Sequence, residues 1–416
     1  MSLSNLNRTQ SFTGKKVMLV YASYGEGHLQ AARALQAALE DRGIKQTVMV
    51  DLMAEAHPWI SAFTRSFYMK SFTLLPGLYG WVYDTTRDMR HNSLFGDWLH
   101  SFGRSTMRRL LERERPDAVI HTFPMFVMPT LRTKADSRKI PSCAVLTDFD
   151  LHGRWIHPGI DRLYVPTDDL KQEAIDRGVA ADQICASGIP LKSGFDYIEP
   201  LPEYRERFGF TENEPIVLIM AGAQGVMPDV ASLCRRLLQH PGLSVALVCG
   251  RNAVLARSVR QSLDNEGYGS RLRIFDFVDR IHELMAISTC LVTKPGGLTL
   301  AEGLAAGLPI FLYRPVPGQE RRNAEYLARM KAAVVCSRPQ ELVEEIVKLI
   351  RQPDRLHTSK QALAALQKQQ AAETIVTDFL ETLQAFEDRG ISSPPSPKQR
   401  KRLFRLQRGK PGGIQT

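Results

Sequence analysis

Two side chains of this sequence have the chemistry and the position to take a proton from a hydroxyl group. The first, His28, ends the glycine-rich turn SYGEGH, which follows an apolar run and precedes apolar residues at helical spacing. This order predicts a βα unit in which Gly25 and Gly27 bring the backbone to the sheet edge where open α/β folds bind ligands. Imidazole titrates near neutral pH, so His28 is a candidate general base. A capping or packing role is the alternative for a single histidine in a turn.

The second side chain is Asp148, in the segment DFDLH that follows a predicted buried strand. A carboxylate at the carboxyl end of that strand is placed to orient or activate an acceptor hydroxyl, alone or with His28. A helix N-cap is the alternative. Asp148 and His152 resemble part of a metal site, but no HExxH-like pattern or carboxylate cluster completes it, so we predict no metal. Trp155 would form a wall of the same acceptor cleft.

The stretch KPGGLTLAEGLAAGLPIFLYRPVPGQE predicts a turn, a helix, a strand and a loop after a short apolar strand. Gly296 and Gly297 can adopt backbone angles closed to other residues and let a ligand approach the chain. A helix that begins near Leu298, with Thr299 in its first turn, would point unpaired N–H groups at that ligand, which suits a phosphate. Glu302, one turn later, could reach ribose hydroxyls. An ordinary βα turn is the alternative, because a short glycine pattern is weak evidence.

Two further segments could bind the phosphates or the sugar of such a ligand. Gly222, Gln224 and Gly225 form a second glycine turn after a buried strand, and we expect it to open a helix with another phosphate-binding N-terminus. Gln319 and Glu320 follow a Pro-Gly pair, where they could exchange hydrogen bonds with sugar hydroxyls. For that pair, a solvated loop is the alternative.

Several ordered segments together carry a resemblance to a known family. Besides the stretch at 294–320, they are YASYGEGHLQAA, HTFPMFVMP, VLTDFDLHGRWIHPGID, SGIP and IMAGAQGV, and the likeness covers roughly residues 15–385. The sequence resembles the nucleotide-sugar glycosyltransferases that make monogalactosyldiacylglycerol, bacterial diglucosyldiacylglycerol and the N-acetylglucosamine linkage of lipid II. The likeness is greatest to the processive diacylglycerol glucosyltransferases of bacteria.

This resemblance implies an α/β fold of the GT-B type, with two Rossmann-like domains that face each other across a cleft. It implies an inverting transfer of a hexose from a UDP-sugar to diacylglycerol, and glucose is the hexose that we expect. The enzyme could also add further sugars to its own product. His28 then faces the acceptor, and the backbone at Phe277 and Val278 holds the nucleobase. Lys192 stands where the family more often has an arginine, as a cation for the donor diphosphate. No metal or other cofactor is required.

Other functions stay open from the sequence alone. One alternative keeps the chemistry and changes the molecules, with UDP-galactose as donor or a polyprenyl-linked acceptor. The alternative of another class is a membrane-associated sensor of UDP-sugars without turnover. We expect no nucleic acid among the partners, and the oligomeric state is not predicted.

Composition and domain boundaries fit a globular protein of the cytoplasm. The 416 residues are 44% hydrophobic and 24% charged, which does not suggest disorder. The six scattered cysteines predict reduced thiols, and no run is long and apolar enough for a signal core or a spanning helix. We predict a polar extension at 1–14, an acceptor- and membrane-facing domain at 15–198, a UDP-sugar-binding domain with terminal helices at 199–390 and a disordered tail at 391–416.

Two segments favour contact with an anionic membrane, and hence a peripheral location on the cytoplasmic face of the cell membrane. Eleven of the 33 aromatic residues lie between 59 and 102, interleaved with basic ones, and include Trp59, Phe63, Trp81 and Trp98. Such a mixture suits the lipid headgroup layer; a helical insertion packed into the core is the alternative. The tail carries seven Lys or Arg and no acid, out of a net charge of +10. A merely solvated tail is the alternative there.

Overall fold

The computed structural model of the chain describes residues 12, 14–23, 26–56, 76–88, 103–124, 140–210, 214–263 and 266–388. These residues form two α/β domains, each built on a six-stranded sheet with all strands parallel. The predicted pair of Rossmann-like domains is confirmed. Phe63, Trp59, Trp98, Gly25 and the basic tail at 391–416 lie outside the described residues, so the expectations for them stay predictions.

The first sheet has the strand order β2-β1-β3-β4-β5-β6. Most of its strands are buried, as expected for parallel strands covered on both faces. Its strands are β1 (Lys16–Tyr21), β2 (Gln46–Asp51), β3 (Ala118–His121), β4 (Ser142–Val145), β5 (Arg162–Val165) and β6 (Ile184–Ala186). The helices of this half are α1 (Glu26–Asp41), α2 (Leu52–Ala56), α3 (Pro76–Arg87), α4 (Arg104–Glu114) and α5 (Asp168–Asp176).

The second sheet has the order β12-β11-β10-β7-β8-β9. Its strands are β7 (Ile216–Met220), β8 (Ser244–Val248), β9 (Leu272–Phe275), β10 (Cys290–Thr293), β11 (Ile310–Tyr313) and β12 (Ala333–Cys336). Its helices are α6 (Pro202–Arg207), α7 (Val230–Leu238), α8 (Ala253–Leu263), α9 (Ile281–Ala286), α10 (Gly297–Ala305), α11 (Gln319–Arg329), α12 (Pro339–Arg351) and α13 (Pro353–Leu366).

The last described helix, α14 (Ala371–Asp388), returns to the first domain. Its apolar side chains, among them Ile375 and Phe379, are part of the core formed around β1 and α1. The Tyr164 hydroxyl on β5 donates a hydrogen bond to Asp378 Oδ2 at 2.8 Å. The expectation that all terminal helices belong to the second domain is therefore wrong for α14, whose apolar face completes the core of the first.

The two domains also share a hydrophobic cluster beside the cleft. It joins Leu146 and Phe149 of the first domain to Leu300 and Tyr326 of the second. The rings of Phe149 and Tyr326 stack with centroids 5.8 Å apart. This packing joins the two domains, and the loops after β1, β3 and β4 line one cavity with those after β7, β8, β10 and β11.

The cysteines and the helix lengths agree with the composition. All six cysteines are free thiols, and five of them are buried. Within the described ranges, no helix combines the length and apolarity that crossing a bilayer requires.

Candidate active site

A cavity of about 1080 Å³ lies in the cleft between the two sheets. Loops at the carboxyl ends of strands from both domains line it, together with one face of α3. The structure brings most of the predicted site residues into its wall: Gly27, His28, Asp148, His152, Trp155, Lys192, Gly222, Gln224, Phe277, Val278, Gly296, Gly297, Leu298, Thr299, Glu302, Gln319 and Glu320. Gly225 and Trp81 are described residues that do not line it.

His28 stands in the first turn of α1, where the glycine turn after β1 ends. Its Nδ1 lies 2.7 Å from the Thr122 carbonyl oxygen and 2.9 Å from Thr147 Oγ1. A carbonyl oxygen only accepts, so Nδ1 carries the proton and Nε2 carries the lone pair. Desolvation in the cavity wall lowers the pKa of His28, while the charge of Asp148 and the Thr122 contact act against that shift. A neutral imidazole with a lone pair at Nε2 is suited to accept a proton.

Asp148 follows β4 and is held by two amides from the other domain. Its Oδ1 accepts hydrogen bonds from Gln319 Nε2 and from Asn323 Nδ2, the latter at 3.2 Å. Burial raises the pKa of Asp148, and the neighbouring His28 and the two amides oppose that rise. The alternative of a helix N-cap is wrong, because the next helical turn, Gly153–Trp155, is capped by His152, and the carboxylate of Asp148 faces the second domain.

Gly297 packs closely against the loop after β4 of the first domain. A Cβ atom built on it would lie 2.0 Å from the Thr147 carbonyl oxygen and 2.8 Å from Asp148 Oδ1. Gly296 has nothing within 4 Å of its Cβ position and has an ordinary φ of −75°. The expectation that these glycines supply unusual backbone angles is wrong, because the backbone there is regular. The need for glycine at 297 arises from contact with the first domain.

The N-terminus of α10 lies in the cavity wall. The helix begins at Gly297, and no side chain caps its first turn, which contains Leu298 and Thr299. Glu302 lies on the same helix and is buried. Burial raises the pKa of Glu302 to about 7, and Lys192 opposes this rise. The site therefore pairs an uncapped helix terminus, which favours an anion, with a carboxyl group that titrates near neutrality.

The second glycine turn differs from its expectation. Gly225 has φ of 59°, and its N–H donates to the Gly222 carbonyl oxygen at 2.9 Å. A Cβ atom on Gly225 would lie 2.3 Å from the Cys249 carbonyl oxygen. Helix α7 begins five residues later, at Val230. The prediction of a helix N-terminus at Gly225 is wrong, since this glycine closes a turn against the loop after β8, while Gly222 and Gln224 line the cavity.

Three of the charged or amide groups assigned to the donor, Gln319, Glu320 and Lys192, have protein partners. Gln319 donates to Asp148, as described above. Glu320 Oε1 pairs with Lys294 Nζ at 3.0 Å, and its Oε2 accepts from the Val316 N–H at 3.1 Å. Lys192 Nζ donates to the Asp279 carbonyl oxygen at 2.6 Å. Their contacts with a sugar or a diphosphate stay predictions.

His152 and Trp155, both predicted to contact the acceptor, line the cavity on the side of the first domain. The Arg154 N–H donates to His152 Nδ1 at 3.1 Å, so Nε2 carries the proton and lies 3.2 Å from Thr86 Oγ1 on α3. Burial lowers the pKa of His152 to about 3. This histidine is therefore neutral and attaches α3 to the loop after β4. Trp155 is buried in the shared cluster and lines the cavity.

The sequence analysis missed several residues at the site, among them Asn323, Lys294 and Arg251. Asn323 is fully buried; its Oδ1 accepts from the Phe149 N–H at 2.8 Å, and its Nδ2 also donates to the Pro295 carbonyl oxygen at 3.0 Å. Asn323 lies four residues after Gln319 on a helix, so the sequence could have indicated that the two side chains share one face. Lys294 and Arg251 also line the cavity, and the Arg251 guanidinium lies 5.4 Å from the centroid of the exposed Phe277 ring.

Within the described part of the chain, no group of three His, Cys, Asp or Glu side chains is arranged to hold a metal ion. Instead, Asp148 bonds to the second domain and His152 bonds to α3. Asp150, which lies between them in the sequence, also bonds to α3. The Tyr83 hydroxyl on α3 donates to Asp150 Oδ2 at 2.9 Å, and Arg87 Nε donates to Oδ1 at 3.0 Å. The second carboxylate of the segment thus serves to anchor α3.

Two family models match successive parts of the chain. Residues 28–191 match the model for monogalactosyldiacylglycerol synthase, and residues 216–375 match the C-terminal domain of glycosyltransferase family 28. A protein of Bacillus thuringiensis (strain Al Hakam) called processive diacylglycerol beta-glucosyltransferase is 38% identical over 367 residues, covering 88% of this chain and 93% of the relative. A protein of Bacillus pumilus (strain SAFR-032) with the same name is 34% identical over 369 residues, or 89% and 95% of the two chains.

Solved structures share the fold at low sequence identity. MurG of Acinetobacter baumannii has a TM-score of 0.56 and 14% identity, over 88% of this chain and 99% of MurG. MnaA of S. aureus, solved with UDP, has a TM-score of 0.55 and 14% identity, over 89% and 97% of the two chains. These likenesses support the GT-B arrangement.

Proposed function

The chain belongs to the glycosyltransferase family that contains the processive diacylglycerol beta-glucosyltransferases, and from this premise we propose that it transfers glucose from UDP-glucose to the free hydroxyl of diacylglycerol. One observation carries the proposal. The candidate base and the candidate phosphate-binding helix terminus line the same cavity, with Asp148 Oδ1 only 2.8 Å from the Cβ position of Gly297.

The donor half of the cavity has the groups that a UDP-sugar needs. In the proposal, the backbone at Phe277 and Val278 holds the base, Glu302 accepts hydrogen bonds from the ribose, and the N–H groups of α10 face the diphosphate. An uncapped helix terminus favours a negative charge, and it favours the leaving diphosphate more as charge develops on it. Lys192 lies in the same wall and adds a cation.

The acceptor half supplies the proton transfer. In the proposal, His28 Nε2 takes the proton of the acceptor hydroxyl while the acceptor oxygen attacks C1 of the sugar. The bond between C1 and the diphosphate oxygen breaks, and UDP leaves with the electron pair. The carboxylate of Asp148 stabilises the imidazolium that forms, in keeping with the opposing effects of these two groups on each other's pKa. The step is a single displacement.

The mouth of the cavity supports a lipid acceptor presented from a membrane surface. Helix α3 carries Leu78, Trp81 and Val82 at i, i+3 and i+4, so they share one face, and they are 54%, 65% and 46% exposed. Leu78 and Val82 also line the cavity. An apolar face beside the opening fits peripheral contact with lipid.

The test is incubation of the purified protein with vesicles that contain diacylglycerol and, separately, UDP-glucose, UDP-galactose or UDP-N-acetylglucosamine. Mass spectrometry of the extracted lipids should show a monohexosyl or dihexosyl diacylglycerol with UDP-glucose. Product from UDP-galactose alone would correct the sugar. Absence of glycolipid with every donor, in a protein that binds UDP, would contradict the proposal.

A further inference from the structure

We propose that Asp84 is a positioning residue: it ties α3 to the first turn of α11 and so holds Gln319 and Asn323 on the carboxylate of Asp148. The inference rests on the proposed function, because that function gives Asp148 its part in the transfer. In this inference Asp84, a residue of the cavity-lining helix α3, positions the carboxylate of Asp148 in the catalytic centre.

Asp84 makes three hydrogen bonds to α11 across the cleft. Its Oδ1 accepts from Arg322 Nε at 3.1 Å and from Arg322 Nη2 at 2.8 Å, and its Oδ2 accepts from Arg321 Nη2 at 2.5 Å. The backbones meet closely as well. A Cβ atom on Gly80 would lie 2.5 Å from Pro317 Cβ. Helix α3 is therefore seated against the loop that precedes α11.

The first turn of α11 needs such a partner. It contains two arginines, and cations are unfavourable at the N-terminus of a helix, where the dipole is positive. No side chain caps this terminus. Glu325, one turn later, forms longer ion pairs with the two guanidinium groups, at 3.5 Å and 3.4 Å. Glu320, the acidic residue of this turn, is paired with Lys294. The carboxylate of Asp84 thus compensates both cations at the place where Gln319 begins the helix.

The first turn of α11 transmits this contact to Asp148. Gln319 and Asn323 are four residues apart on one face of α11, and both donate to Asp148 Oδ1. The same C-terminal turn of α3 is also fixed to the first domain, because Tyr83 and Arg87, which flank Asp84 in the sequence, both donate hydrogen bonds to Asp150. Helix α3 thereby spans the cleft and sets the distance between α11 and the loop that carries Asp148.

The experiment compares Asp84→Asn with Asp88→Asn. Asp88 directly follows α3, its side chain is 79% exposed, and it pairs with Arg87 and Arg177 of the first domain, so it is a matched control. Amide hydrogen exchange in residues 319–323 should increase by about tenfold in Asp84→Asn, which corresponds to roughly 1.4 kcal/mol of local opening, and should not change in Asp88→Asn. This measurement needs no turnover.

Turnover gives the second readout. Displacement of a reacting group by a fraction of an ångström should lower kcat by about 10- to 100-fold in Asp84→Asn. The groups that face Asp148 are His28, Asp150 and Tyr83, with the amides of Gln319 and Asn323. Loss of the two amides removes contacts that lower the pKa of Asp148, so the acidic limb of the pH profile of kcat should move to higher pH. A merely structural defect would lower kcat without moving that limb.

A second variant separates the contact between α3 and α11 from the charge of Asp84. Gly80→Ala keeps Asp84 but forces α3 away from Pro317, and it should reproduce the faster exchange and the shifted limb. Unchanged exchange at 319–323 in both Asp84→Asn and Gly80→Ala would overturn the inference. If the wild-type protein makes no glycolipid, the proposed function fails. The exchange data alone then decide whether Asp84 holds the first turn of α11 in place.

Discussion

The side-chain amide of Asn323, on the second domain, donates a hydrogen bond at 3.2 Å to Oδ1 of Asp148, on the first. The same side chain accepts from the Phe149 N–H at 2.8 Å. A buried amide with its oxygen and nitrogen both used is fixed in orientation. The candidate catalytic carboxylate is therefore oriented by the second domain, which makes its geometry depend on how the two domains meet.

We expect Asn323→Ala to lower the free energy of unfolding by about 2 kcal/mol, because the buried Phe149 N–H and Pro295 carbonyl groups lose their partner. Urea denaturation followed by circular dichroism measures the change. Gln340→Ala is the control, since the side chain of Gln340 makes an exposed hydrogen bond to Glu344, and it should change stability by less than about 0.5 kcal/mol. Equal effects of the two substitutions would contradict the role of Asn323.

Gly297→Ala should separate the domains. Its Cβ atom would lie 2.0 Å from the Thr147 carbonyl oxygen, which is backbone and cannot rotate away. We expect a larger radius of gyration by small-angle scattering and a fall in turnover of about 100-fold or more. Gly77→Ala is the matched control, because nothing lies within 4 Å of its Cβ position. A closed, active Gly297→Ala protein would show that this contact does not define the working geometry.

Glu302 should make stability depend on pH. Burial raises its pKa from 4.5 to about 7, so the folded protein binds this proton more tightly than the unfolded chain. The contribution is complete below about pH 4.5 and is lost as pH rises through 7. The free energy of unfolding of Glu302→Gln should therefore vary less between pH 4.5 and 7 than that of the wild type. Parallel curves for the two proteins would contradict a raised pKa.

The outer face of α3 should contribute to lipid binding. Trp81→Ala removes a side chain that is 65% exposed beside the cavity mouth. Loss of its buried apolar area in the bilayer should lower the partition coefficient by about tenfold in vesicle flotation. Val254→Ala alters an equally exposed residue, at 68%, on a helix of the second domain. Equal binding by both variants would exclude α3 from the membrane contact.

Much of this architecture could be predicted because buried parallel strands leave a clear pattern. The run Ile216–Met220 is apolar throughout and forms β7, and the glycine turn before α10 marks the next strand's carboxyl end. Strand β2 was not identified, since its sequence QTVMVD mixes polar and apolar residues at the sheet edge. A glycine turn does not always open a helix. At Gly225, glycine is required because the Cys249 carbonyl oxygen lies close to the backbone, and no helix begins there.

What the sequence did not predict is mostly contact between the domains. His28, Asp148 and Gly297 could each be selected from local order, but their partners depend on how two separately folded units meet. Asp148 and Gln319 are 171 positions apart along the chain, and no local pattern relates them. The return of α14 to the first domain has the same origin, because the burial of its apolar face is decided by tertiary packing.

The most direct test of the transfer mechanism is the turnover of His28→Ala and Asp148→Asn with UDP-glucose and diacylglycerol vesicles, alongside calorimetric binding of UDP. Both variants should bind UDP like the wild type, since neither group contacts the nucleotide in the proposal. Turnover should fall by about 100-fold or more in each, the usual contribution of a general base and its charge partner. Turnover near that of the wild type in both variants, with UDP bound, would contradict the account.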